Sequence, residues 1–97
     1  METQSNHTFQ PLVLLDFYAD WCGPCQTMQP VIEGVKEKFG DKVEILKIDA
    51  DRNPRIVANY RVSSIPAYVL LKNKKVIWRR SGLLSKSELE ALLLPYF

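Results

Sequence analysis

The stretch Leu12-Val13-Leu14-Leu15-Asp16-Phe17-Tyr18-Ala19-Asp20-Trp21-Cys22-Gly23-Pro24-Cys25 holds the only two cysteines of the 97 residues. Its first half, Leu12 to Tyr18, is a near-continuous apolar run that reads as a strand buried on both faces. Beyond it Met28, Val31, Ile32, Val35 and Phe39 recur three and four apart, the pattern of an amphipathic helix from about Cys22 to Phe39. Pro30 is expected to kink that helix and Gly40 to close it. Two cysteines three positions apart can be a redox pair, half of a metal site or a structural staple. A staple closing so small a ring gives about 2 kcal/mol by loop entropy, against nearly 5 for a loop of about 100 residues. Structural zinc takes four Cys or His ligands, and the one histidine, His7, lies in a polar leader, so zinc would require a second chain. Redox exchange needs only the pair, placed between a strand and a helix as here.

The chain continues as alternating elements. Val43 to Asp49 reads as a second buried strand, and strand, helix, strand implies a parallel crossover. Asn53-Pro54 is a helix cap followed by proline at the first helical position, opening a short helix to about Tyr60. Ala67 to Leu71 and Val76 to Arg80 read as strands of a hairpin through Lys72 to Lys75. Ser85-Lys86-Ser87-Glu88 is a capping box for a last helix to about Leu94, with Leu89, Leu92 and Leu93 toward the sheet. The order is βαβ then ββα: an α/β chain with a central four-stranded mixed sheet flanked by helices on both faces. Residues 1–10 form a polar, unpatterned leader, expected to be mobile in part, and 11–97 a single domain.

Composition narrows the function classes. A content of 46% hydrophobic and 25% charged residues is that of an ordinary globular chain. A net charge of +2 is too mild for a nucleic-acid partner, and no aromatic-interleaved basic stripe supports one. The cluster Lys72, Lys74, Lys75, Arg79 and Arg80 reads as a charged edge strand that resists sheet pairing rather than as a site for an acidic partner. No apolar run reaches the length of a membrane span, and the leader lacks a basic start and an apolar core, so no membrane partner and a cytoplasmic location are expected.

With Pro30, Lys47-Ile48-Asp49, Ile65-Pro66 and Gly82, the cysteine stretch resembles the thioredoxin family from about Leu12 to the C-terminus. The helix start presents unpaired amides and a positive dipole end to Cys22, favouring its thiolate. Cys25, one turn in, is expected to be the more buried. The attacking role therefore falls to Cys22 and the resolving role to Cys25, as the resemblance also implies. Pro24 stiffens the turn between them or is simply a helix-start residue. An acid within a buried strand points either to function or to a paired buried charge. The resemblance makes Asp16 the buried carboxylate behind Cys25, with raised pKa and a role in proton exchange, and Lys47 the lysine accompanying it. It also implies a cis bond at Ile65-Pro66 facing the disulfide, with the Ile65 backbone free to pair with a substrate strand. Trp21, Gly23, Ser64 and Gly82 with Leu83 would complete an apolar docking surface, although Trp21 alone also suits a core. Gln26, Ser64, Ala67 and Asn73-Lys74 depart from the family pattern, and Ser64 and Ala67 bear on substrate choice.

The function expected is thiol-disulfide exchange that reduces protein disulfides, with no cofactor beyond a redox-active Cys22–Cys25 disulfide, no metal, and a thioredoxin-reductase-like recycling partner. A redox-independent binding subunit using the same apolar surface, or a periplasmic oxidase or isomerase, are the alternatives. The family usually has an extra first strand and helix, which would not fit here. Only ten residues precede Pro11, fewer than a parallel strand and its crossover need. The second strand is therefore expected to be a sheet edge, or to be covered by Thr3 to Gln10 in some other way. An open edge would give a monomer with weak dimerisation or strand exchange.

Overall fold

The computed structural model describes residues 12–97. They form β1 (Leu12–Tyr18), α1 (Gly23–Phe39), β2 (Glu44–Asp49), α2 (Pro54–Asn59), β3 (Ala67–Lys72), β4 (Lys75–Ser81) and α3 (Lys86–Leu93), with short 3₁₀ turns at Gly40–Lys42 and Leu94–Tyr96. The sheet order is β2-β1-β3-β4. β1 pairs in parallel with β2 and antiparallel with β3, which continues into the β3–β4 hairpin. The expected βαβ–ββα mixed sheet is therefore the fold observed.

β1 is central, and its run of apolar residues has a different destination on each side because successive strand residues point to opposite faces. Leu12 and Leu14 join Tyr68 and Leu70 of β3 against Met28, Ile32, Val35 and Phe39 of α1 and Leu89 and Leu93 of α3. Leu15 and Phe17 join Ala67, Val69 and Leu71 against Ile56, Val57 and Tyr60 of α2 and its flank. α1 runs through Pro30 and ends where Gly40, at φ 53°, donates its N–H to the Lys36 carbonyl. α3 carries the expected capping box, Ser85 and Glu88 each bonding the other's backbone N–H. The Trp78 indole donates to the Leu92 carbonyl at 3.1 Å and so ties β4 to α3. In the hairpin, Asn73 and Lys74 both take positive φ, 51° and 71°, as a two-residue primed turn requires.

Two expectations need correction. β2 is not a buried strand: Ile45 and Ile48 are half-buried, and Leu46 is 43% exposed. Among the described residues β2 lies at the sheet edge with β1 as its one neighbour. The covering role considered for Thr3 to Gln10, like the expectation for the leader, lies outside the described residues. Asn53 occupies the cap position of α2 but makes no capping bond. Its side chain instead donates to the Asp49 carbonyl at 2.9 Å, fastening the β2–α2 loop.

Candidate active site

The C-terminal ends of the parallel neighbours β1 and β2 lie at the same end of the sheet, so the loops leaving them meet there. After β1, the Cys22 N–H donates to the Ala19 carbonyl at 3.1 Å, closing the turn from which α1 starts. Cys22 sits at the cap in extended backbone, and Pro24, within the first helical turn, lacks only an N–H that the helix would leave unpaired. Cys22 and Cys25 are joined in a disulfide with their Cα atoms 5.2 Å apart. The Cys25 N–H donates to the Cys22 sulfur at 3.1 Å, and no acidic residue stands in the first helical turn. Charge on the Cys22 sulfur would thus meet an amide donor and the positive helix end. Burial does not separate the pair as expected. Cys22 is 3% and Cys25 6% exposed, so what distinguishes them is the hydrogen bond received by Cys22.

Asp16 lies on the α1-facing side of β1, in alternation with Leu12 and Leu14, and is 5% exposed. Burial pushes its pKa up to about 6, against the opposing pull of the Lys47 charge. Lys47 is its register partner on β2, but the two do not form a buried ion pair. The lysine is exposed and its ammonium lies 5.1 Å from the centre of the Tyr18 ring. Ion pairs among the described residues are Lys38–Glu90, Lys86–Glu90 and Arg52–Asp49. A long edge-strand side chain keeps its charged end in water while its stem stays on the sheet.

Facing the disulfide is the loop before β3, in which Ile65-Pro66 is cis. Ile65 packs against the cluster of Ala19, Cys22 and Cys25. The buried Pro66 accepts the Gly82 N–H at 2.8 Å, drawing the end of β4 to the same place. Gly82 has φ 86°, a conformation that side chains resist. Trp21 is 70% exposed and therefore belongs to the surface, not the core. Its indole donates to the Asp51 carboxylate at 2.8 Å. A Cβ on Gly23 would meet nothing within 4 Å, so the face beside Cys22 is open. Leu83, 61% exposed, follows Gly82. A groove of ≈ 390 Å³ runs between Trp21 and Ile65, with Asp51 and Ser64 in its walls.

Trp21, Cys22, Gly23, Pro24, Cys25, Ile65, Pro66 and Gly82 thus gather at one end of the sheet, while Asp16 lies within β1 on the α1-facing side and Lys47 is its register partner on β2. Two residues were not foreseen. Asp51 could have been found from the parallel β1–β2 arrangement, which brings its loop beside Trp21. Tyr68 lies opposite Asp16 in the β1–β3 register, and its fully buried hydroxyl has no hydrogen-bond partner among the described residues. A tyrosine in an apolar strand gives no sign of this. Among the described residues there is also no group of three or more His, Cys, Asp or Glu that could hold a metal ion, and no helix long and apolar enough to cross a membrane.

The chain matches the family model described as Thioredoxin over residues 3–94. It is 40% identical over 89 residues to a thioredoxin of Bacillus subtilis, covering 92% of this chain and 86% of that one. It is 43% identical over 77 residues to the chloroplastic thioredoxin Y of Oryza sativa, covering 79% of this chain but spanning only 46% of that longer protein. Among solved structures, a mutant thioredoxin from Halobacterium salinarum superposes with a TM-score of 0.84 at 37% identity, covering 90% of this chain and 75% of the other.

Proposed function

The chain belongs to the thioredoxin family, and on that premise we propose that it is a thiol-disulfide oxidoreductase that reduces disulfides of protein substrates. The observation that carries the reading is the Cys22–Cys25 disulfide at the start of α1, with the Cys22 sulfur receiving the Cys25 N–H. In the reduced protein the Cys22 thiolate attacks one sulfur of the substrate disulfide. A Cys22–substrate disulfide forms and the first substrate thiolate leaves. Cys25 then attacks the Cys22 sulfur, releasing the second substrate thiolate and restoring the Cys22–Cys25 disulfide. Two electrons have passed to the substrate.

Asp16 serves as the proton acceptor for the Cys25 thiol. With a pKa near 6 it is largely ionised at neutral pH yet basic enough to take a proton. Lys47 tunes it through charge alone. Trp21, Gly23, Pro24, Ile65, Pro66 and Gly82 form the surface on which the substrate strand docks, the exposed Trp21 and Leu83 supplying its apolar area. No cofactor beyond the dithiol is needed. A reductase-like partner returns two electrons each turn, and a reducing compartment such as the cytoplasm suits this direction.

The Gly23-Pro24 dipeptide supports reduction over oxidation or isomerisation. A redox titration is expected near the general value for thioredoxins, about −270 mV, and not near the roughly −180 mV of protein disulfide isomerase. The roles of the sulfurs are tested by trapping. Cys25→Ser should accumulate a mixed disulfide with substrate through Cys22, visible by mass spectrometry, and Cys22→Ser none. Equal trapping by the two variants would refute the assignment. Disulfide turnover by the Cys22→Ser, Cys25→Ser double variant would refute the redox reading altogether.

A further inference from the structure

A second pocket, of ≈ 120 Å³, adjoins the docking groove, and Val62, Ser63 and Ser64 wall both of them. Its remaining polar lining includes Arg61, Arg79 and Ser81. The arginines are brought together by the backbone. Arg61 is held at φ 57° in the turn that ends α2, its N–H on the Ala58 carbonyl at 3.1 Å. Arg79, opposite Val69 on the α2-facing side of the sheet, donates its Nε–H to the carbonyl of Tyr60, the residue just before Arg61. That bond holds the Arg79 guanidinium at the turn that carries Arg61, and its terminal nitrogens make no hydrogen bond among the described residues. Neither arginine forms an ion pair among the described residues. Arg80 also reaches the rim, but its guanidinium lies over the Trp78 ring and donates to the Arg79 carbonyl.

Like charges placed side by side repel, and a fixed guanidinium has given up rotamer freedom. Two arginines without an ion-pair partner among the described residues, one of them fixed, in a pocket also lined by Ser63, Ser64 and Ser81, are suited to a carboxylate, which accepts several donors at once. We propose that this pocket selects substrates bearing an Asp or Glu near the target cysteine, the carboxylate seating between Arg61 and Arg79 while the disulfide lies against Cys22. The occupant is a side chain of the docked protein strand, because the pocket shares its wall with the groove leading to Ile65 and Trp21. The inference rests on the reductase reading above and adds the substrate class.

The test uses a set of disulfide-bridged peptides, identical except for Glu, Gln or Lys at each of the positions flanking one cysteine, reduced by the full-length dithiol protein. At one or more positions the Glu peptide should show kcat/KM roughly three- to tenfold above the Gln peptide at low salt, with Lys below both, because partly exposed charge pairs contribute modestly and are screened. The preference should shrink in high salt and vanish in the Arg61→Gln, Arg79→Gln double variant, while reduction of the Gln peptide tracks that of the unaltered protein. Arg61→Gln alone, in an exposed turn, should halve the logarithm of the preference and serves should the double variant not fold. Equal rates for Glu and Gln peptides at every position, with the Gln peptide reduced normally, would overturn the proposal and leave the reductase reading standing. Failure to reduce any peptide would overturn both.

Discussion

Toward α2 the two central strands, β1 and β3, present Leu15, Phe17, Ala67, Val69 and Leu71, all of them apolar. Toward α1 and α3 it presents Leu12, Leu14 and Leu70, but also Asp16 and Tyr68, side by side in the β1–β3 register. The same two strands build both layers, so the difference is a matter of which alternate residue is polar. It falls on the side whose helix begins at the disulfide. An apolar layer needs no partners for its atoms, whereas each buried polar group must find one or cost stability. The polar face is thus a place where stability is given up on the side of the helix that begins at the disulfide, and the α2 face is where it is held.

The largest effect should come from breaking the apolar face. Phe17 is fully buried, and Phe17→Ala should cost about 3–5 kcal/mol by lost transfer energy and the cavity left behind. Chemical denaturation at neutral pH measures it. A cost under about 1 kcal/mol would mean that the α2 face is loosely packed and that the contrast between faces is false.

On the same strand, one residue away, a substitution should act with the opposite sign. The folded-state pKa of Asp16, about 6, exceeds its ordinary 3.8. Below about pH 4 the carboxyl is protonated in both the folded and the unfolded chain and carries no penalty. As pH rises toward 6 the unfolded chain ionises first, so stability falls. Above 6 the full cost persists, about 3 kcal/mol for a shift of this size. Asp16→Asn should therefore be more stable than the unaltered protein at pH 8, by up to about that amount, and equal to it near pH 4. Its resolving step should slow under the proposed role of Asp16 as proton acceptor. A stability difference that does not change between pH 4 and 8 would show that Asp16 is not buried as a charge.

How much of this contrast the sequence reveals differs between its parts. The strands and helices follow from periodicity, and Asp16 stands out because an acid interrupts an otherwise apolar run. The gathering of Trp21, the cysteines, Ile65-Pro66 and Gly82 is implied by family likeness, whose motifs are local and strongly patterned. Three features were not legible. The exposure of β2, unlike its expected edge position, was hidden, because Val43 to Asp49 has the same apolar content in a central strand or at an edge. The ammonium of Lys47 goes to the Tyr18 ring because an edge position leaves it free to reach water, which register alone does not reveal. Arg61 and Arg79 lie 18 positions apart, and only the turn after α2, bonded through the Tyr60 carbonyl, brings them to one pocket.

The smallest expected effect is also the sharpest probe of the polar face. Tyr68 shares the core with Leu70 and Met28, and its hydroxyl is stranded there among the described residues. Burial and the neighbouring Asp16 charge both drive its pKa upward, so the group stays neutral at any working pH. Tyr68→Phe keeps the ring and its packing and removes only the oxygen. Since an unsatisfied buried hydroxyl costs about 1 kcal/mol or more, the variant should gain about that much. The gain should be the same at pH 5 and pH 8, because a hydroxyl without a partner has no stake in the ionisation of Asp16. A loss instead, present at pH 8 and reduced in an Asp16→Asn background, would mean that the hydroxyl donates to the ionised carboxylate. The polar residues of this face would then form a connected pair acting on the proton of Cys25, and the cost attributed to each alone would have to be reassigned to the pair.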